Sequence, residues 1–447
     1  MGLINEIIGN FGRFHYWLCF IVFMSKFGVA FHQMAIIFLA PPAHYHCPGS
    51  NATCCDNPVY DKSVFTRTIV TEWNLICKND WLKDLTQTIF QFGVLSGSLL
   101  FGIASDRMFV GFANGGIMII SFVIVMEYVG SAHRDVISAL FHIPFTTGHI
   151  LLAAVGYLIR DYTYFQLFIS LSNVLLLLYI CILPETPRWL LVMNKTELAI
   201  FIFSNKLPTE EIRQKVELYQ FEHRHRGPKS TVLDLFRTPN IRKNIIIMSF
   251  AWLVCSYCFY GVTYYISHLT GDVFINVVAT GSVCLVGCLI CIPLIKFSKR
   301  KTVVIAANII CSLCVFIIGF VPEGKGSVVI GCIGELLCYI IFIVLYLYCT
   351  EMFPTVVRNA AIGICSMMAR LGAMIAPFAA GLRPYGKWCA PVAFGIFPMV
   401  AGLLCLLLPE TKDCELMSTI EEAEALGKNN SPNPRTTTDM NVTEREV

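Results

Sequence analysis

Apolar residues gather in long runs, and polar residues in the shorter stretches between them. A span of a bilayer core needs about 20 apolar residues at about 1.5 Å each. Runs of that kind occur at 17–39, 86–104, 109–129, 137–158, 164–183, 244–266, 273–295, 303–321, 327–349, 360–381 and 390–408. The pattern predicts eleven membrane helices. Glycines and prolines inside the runs do not argue against this, because they are tolerated better there than in soluble helices.

Composition agrees with the pattern. The 447 residues are 56% hydrophobic and 14% charged, with a mean hydropathy of +0.65, whereas a soluble domain is about 25% charged. The chain is therefore expected to be an all-α polytopic membrane protein. A net charge of +3 gives no reason to expect nucleic acid as a partner. The opening MGLINEIIGNFGRFHYW lacks the basic region, short apolar core and small-residue site of a cleaved signal peptide.

The polar stretches set the orientation. Residues 184–243 carry eleven Lys and Arg, and Lys296, Lys299, Arg300 and Lys301 mark a second basic loop. The positive-inside rule puts both in the cytosol. Residues 41–83 then lie outside, where Asn51-Ala52-Thr53 is a glycosylation acceptor. Cys47, Cys54, Cys55 and Cys77 share that loop; four cysteines allow three pairings, and at least one bridge is expected. The other cysteines lie singly in apolar runs, as small hydrophobes. No Cys/His set has zinc spacing, so no metal is expected. The tail 411–447 reads as disordered and cytosolic.

The chain also repeats itself. Glu127 to Arg134 parallels Glu351 to Arg358 at an offset of 224, Gly148 and Gly372 share that offset, and Pro184-Glu185-Thr186 returns as Pro409-Glu410-Thr411 at 225. This predicts two parallel bundles of pseudo-repeated helices, 1–183 and 244–410, joined by the loop 184–243. The first is short. Lys296 to Glu351 is 55 residues, Arg107 to Glu127 only 20, a difference of 35, or one helix with its turns. A third helix is expected to be missing near Met108, giving eleven helices in place of twelve. The alternative to a working protein is thus a shortened product that does not perform the activity of the full-length form.

The run 360–381 carries a single charge. Arg370 lies 12 residues beyond Arg358, which at about 1.5 Å per residue is roughly mid-membrane. Such a charge marks a functional site by default. The bland alternative is a structural ion pair, with Glu335 the available partner. Thr146 is its counterpart in the repeat, so this charge is present in one half only. Tyr257, Phe259, Tyr260, Tyr264 and Tyr265 crowd one helix, and an aromatic face of that kind suits organic ions. Ordinary lipid packing explains Tyr264 and Tyr265 equally well.

These residues resemble a known family, the major facilitator superfamily, and within it the solute carrier 22 transporters of organic cations, anions and carnitine. The resemblance rests on Phe31-His32, Val70-Thr71-Glu72-Trp73-Asn74-Leu75-Ile76-Cys77, the Gly102–Arg107 stretch, Pro184-Glu185-Thr186-Pro187-Arg188-Trp189-Leu190, and Glu351 to Asn359. Two departures stand out: Met108-Phe109-Val110 replaces the family's Phe-Gly-Arg, and the external loop is short. The resemblance implies a major facilitator fold and a transporter in the plasma membrane, with the lipid bilayer and a small organic ion as partners. A co-transported or exchanged ion is a further partner class.

It also implies roles. Arg370 would meet a substrate carboxylate, as in members that handle anions or carnitine, with Tyr260, Phe259, Tyr257, Tyr157, Thr146 and His32 as further substrate-site candidates. Asp106, Arg107, Glu127, Arg134, Glu185, Arg188, Glu351, Arg358 and Glu410 lie at cytosolic helix ends and would form gating charge pairs. No Gly-x-Ser-x-Gly, Walker A or dinucleotide fingerprint is found, so neither an enzyme nor a cofactor is expected.

Overall fold

Every long apolar run lying wholly within the described residues folds as helix, because a hydrocarbon environment leaves backbone groups no other partner. The computed structural model describes residues 12–48, 54–55, 58–100, 121, 124–125, 134–174, 233–267, 272–322, 324–382, 386, 388–412, 417 and 420–425. The helices are α1 (Arg13–Met34) with its continuation α2 (Ile36–Leu39), α3 (Ile69–Glu72), α4 (Trp81–Leu100), α5 (Arg134–Leu140), α6 (Ile143–Leu158) and α7 (Tyr162–Val174). The second half contributes α8 (Asp234–Arg237), α9 (Pro239–Ser267), α10 (Val273–Phe297), α11 (Arg300–Ile318), α12 (Lys325–Met352), α13 (Thr355–Ala380), α14 (Cys389–Cys405) and α15 (Ile420–Ala425). Six helical stretches among the described residues are long and apolar enough to cross a membrane. The run 109–129 and the expected join near Met108 lie outside the described residues, apart from three isolated positions.

Local chemistry sets the helix ends. Asp272 caps α10, its carboxylate accepting from the Phe274 and Ile275 amides at 2.8 and 3.3 Å. Pro354 separates α12 from α13. The run predicted as one helix over 137–158 is two. It breaks at Phe141-His142, because Pro144 has no amide to give and its ring clashes with the carbonyl four residues back.

Small residues set the packing. α1 packs on α6, and α9 on α13. A Cβ on Gly148 would stand 2.9 Å from the Ala30 Cβ, and one on Gly372 only 2.1 Å from the Leu253 carbonyl oxygen. The two glycines of the sequence repeat thus make matching close approaches in the two halves. α4 against α13 and α6 against α10 join one half to the other.

A small two-stranded ribbon, β1 (Tyr45–His46) with β2 (Val59–Tyr60), lies in the loop between α2 and α4. Disulfides pair Cys47 with Cys55 and Cys54 with Cys77, one of the three pairings open to the sequence. The loop docks on the start of α7. The Thr66 amide donates to the Arg160 carbonyl at 3.1 Å, and Arg67 pairs with Glu72 at 2.9 Å and Asp161 at 3.8 Å.

Candidate substrate cavity

A cavity opens where the halves meet. Its wall comes from α1, the α5–α6 junction, α9, α12 and α13: Lys26, Val29, Phe141, His142, Phe145, Trp252, Ser256, Phe259, Tyr260, Tyr339, Phe342, Tyr346, Ala369 and Arg370. On α9 the wall residues fall at 252, 256, 259 and 260, the i, i+4, i+7, i+8 spacing of one helical face. On α12 they fall at 339, 342 and 346.

Two basic side chains share this aromatic chamber. Lys26 and Arg370 are each only 3% exposed. The Lys26 ammonium sits 4.0 Å from the centre of the Phe141 ring, a cation–π geometry. Arg370 lies against Tyr260 and within electrostatic reach of Lys26. The described wall residues include no Asp or Glu. The aromatic side chains brace one another, Trp252 and Tyr346 with ring centres 4.3 Å apart and Phe259 edge-on to Tyr260 at 5.2 Å. The Tyr339 hydroxyl donates to the His142 carbonyl at 3.2 Å, crossing from α12 to the α5–α6 break.

Of the residues named from sequence, Arg370, Phe259 and Tyr260 meet in this wall. The structure places the other four elsewhere. Tyr257 faces α14, its hydroxyl donating to the Ala393 carbonyl at 3.3 Å. It directly follows Ser256, and that single step of about 100° carries it off the cavity face. Thr146 bonds the Ile143 carbonyl of its own helix at 2.8 Å. His32 is buried within α1. Tyr157 is 55% exposed and packs edge-on against Phe274 at 5.5 Å. Glu335 is buried one turn from Tyr339, accepting from the Thr263 hydroxyl and 4.0 Å from the Cys284 sulfur.

Sequence reasoning passed over Lys26, Trp252, Tyr339 and Tyr346. Lys26 carried the same signal as Arg370, a charge inside an apolar run. The α12 aromatics showed only through their helical spacing.

At the far end of the second half, Glu351 and Glu410 gather the cytosolic-type charges. Arg300 pairs with Glu351 at 3.1 Å, and Thr411 donates to Glu351 at 2.6 Å. Glu410 accepts from the Arg300 and Lys301 amides at 2.9 and 3.2 Å, holding a carboxylate at the start of α11. Arg358 donates to the Phe353 carbonyl at 3.2 Å. Arg134 opens α5. Asn51, Asp106, Arg107, Glu127, Glu185 and Arg188 lie outside the described residues.

Comparison with known proteins agrees with this architecture. Residues 91–423 match the sugar (and other) transporter family. The "Organic cation transporter protein" of Drosophila melanogaster is 30% identical over 432 residues, 86% of this chain and 79% of that one. Mouse (Mus musculus) "Solute carrier family 22 member 3" is 31% identical over 401 residues, covering 80% and 72%. The inward-open structure of the E. coli xylose transporter XylE shares the fold, with a TM-score of 0.64 over 92% of this chain and 99% of that one at 16% identity. The chain is a multi-pass membrane protein of the sugar (and other) transporter family, within the major facilitator superfamily and its solute carrier 22 group of transporters.

Proposed function

We propose that this protein carries small organic ions across the plasma membrane by alternating access, favouring organic anions and carnitine-like zwitterions over simple cations. The observation that carries the reading is Arg370, buried in an aromatic chamber between the two halves. Aromatic faces accept the organic part of an ion of either sign. The Arg370 guanidinium in the wall decides between signs, because a buried charge is stabilised by an opposite one and penalised by a like one. The name of the Drosophila relative speaks of organic cations, and the wall chemistry is the reason to expect a different preference here.

Alternating access draws support from where the halves touch. Phe38 stacks on Phe274 with ring centres 5.6 Å apart, Tyr264 reaches Asp84 at 3.5 Å, and Thr88 donates to the Met374 carbonyl at 3.0 Å. All three lie toward the end that carries the disulfide-bonded loop. In this reading the loop end is closed, and the Glu351–Arg300–Glu410 charges belong to the gate at the opposite end. The halves then rock about the cavity.

Uptake of labelled carnitine, benzoate and tetraethylammonium into cells expressing the protein tests the proposal, with Arg370→Asp alongside. Carnitine and benzoate uptake is expected to fall at least about tenfold in the variant, as for loss of a charge-assisted contact. Unchanged uptake of both would remove Arg370 from the substrate site.

A further inference from the structure

Asp84 lies in the first turn of α4, ahead of the apolar run 86–104 and at the end that carries the disulfide-bonded loop. It belongs to the first half, but what covers it belongs to the second. The Tyr264 hydroxyl of α9 stands 3.5 Å from its Oδ1. A Cβ on Gly381, where α13 ends, would stand 2.9 Å from its Oδ2. One turn along α4, Thr88 donates to the Met374 carbonyl of α13 at 3.0 Å. Asp84 is left 6% exposed. Its carboxyl is therefore dry where the halves meet and wet where they part.

A carboxyl that loses its water holds its proton more tightly. Burial pushes Asp84 up to about 6; Lys83 opposes the shift, Asp80 adds to it and the Tyr264 hydroxyl opposes it. Lys83 and Asp80 sit on its own segment, paired with each other at 2.5 Å. Tyr264 faces it from α9, and α13 meets it with a glycine, which brings no titratable side chain. Lys78, on the turn before α4, is exposed.

We infer that Asp84 is a proton-binding site of the loop-end gate, taking up a proton as the halves close there and returning it to the loop side as they part. This rests on the alternating-access reading and adds a regulator to it. With the halves parted the carboxyl is hydrated and titrates in the ordinary range, at about 3.9. With the halves closed it titrates higher. Protons favour the state that binds them more tightly, so acid on the loop side stabilises closure. Above both values the carboxyl is ionised throughout, and closing the gate costs the burial of a charge. Below both it is protonated throughout, and pH has no further effect. The proton goes back to the side it came from, so it biases the gate without driving net flux.

Pulsed dipolar spectroscopy on the purified full chain in lipid nanodiscs tests this. Spin labels on Tyr164→Cys and Leu382→Cys, both exposed and one on each half at the loop end, report the opening. The labelled parent is expected to shift toward the short distance on acidification. The ratio of short to long should rise about tenfold between about pH 7.5 and pH 5. Asp84→Asn keeps the shape of the side chain and removes its titration. It is expected to be as closed at the higher pH as the parent is at the lower, with no response to pH. Asp84→Glu is expected to keep the response. A response in Asp84→Asn equal to the parent's, or a shift toward the long distance in acid, overturns the inference. Two populations that ignore pH also overturn it and leave alternating access standing. A single population under every condition overturns both.

Discussion

Arg300 shows how a single side chain holds one end of the second half together. Its guanidinium pairs with Glu351, and the two side chains are only 7% and 14% exposed. Its amide is bonded by Glu410. Removing one partner of a well-buried pair leaves the other charge stranded, at about 3 kcal/mol or more. Arg300→Gln is therefore expected to lower the thermal unfolding midpoint of the purified protein clearly, whereas Lys299→Gln, at the neighbouring position, should leave it nearly unchanged. Equal midpoints for the two would show that the pair contributes nothing. Arg370 was legible from sequence because a charge inside an apolar run is rare. Glu351 stood out in the sequence as a charge at a helix end, but its partner did not. Arg300 is 51 residues away, and only the fold brings that pair within reach.

At the scale of elements, the glycine pair makes a sharp test. Gly372→Ala would drive a methyl into the Leu253 carbonyl of α9, which is backbone and cannot turn aside. Gly363, on the same helix, has open space at its Cβ position. Gly372→Ala is expected to abolish the folded, monodisperse protein in size-exclusion chromatography, while Gly363→Ala elutes as wild type. Normal elution of Gly372→Ala would mean that α9 and α13 are less closely set than described. The helices themselves were largely readable from apolar runs. The break at Phe141-His142 was not, because a proline inside a membrane run need not interrupt it. Tyr257 misled for a related reason: aromatics crowding one stretch of α9 face several directions, and spacing alone separates Tyr260 from Tyr257.

For the whole molecule, the contacts around Phe274 join the halves at the loop end, which the alternating-access proposal reads as closed. Phe38, Phe65 and Tyr157 all pack on this one ring, at 5.6, 5.6 and 5.5 Å. Phe274→Ala is expected to open that end more often. A cysteine at the cavity wall, Ser256→Cys, should then react several-fold faster with an impermeant maleimide added on the loop side. An unchanged rate would place the barrier elsewhere. The twofold plan of the molecule was legible through its repeated Glu–Arg and glycine positions, since a duplicated bundle must duplicate its close approaches. The meeting of Lys26 and Arg370 in one cavity wall was not, because it joins residues from opposite halves and leaves no local pattern.

The bond from the Tyr339 hydroxyl to the His142 carbonyl has a bearing on speed. It ties a helix of one half to the buried break between α5 and α6 in the other, within the wall of the chamber. Any motion that separates the halves there must first release it. At about 1 kcal/mol such a bond is weak enough to exchange on every turnover. A substrate that competes for the tyrosine hydroxyl would loosen the tie as it arrives. Tyr339 thus stands where occupancy of the chamber can be converted into a clock for the cycle, and Tyr339→Phe should run that clock faster with or without cargo.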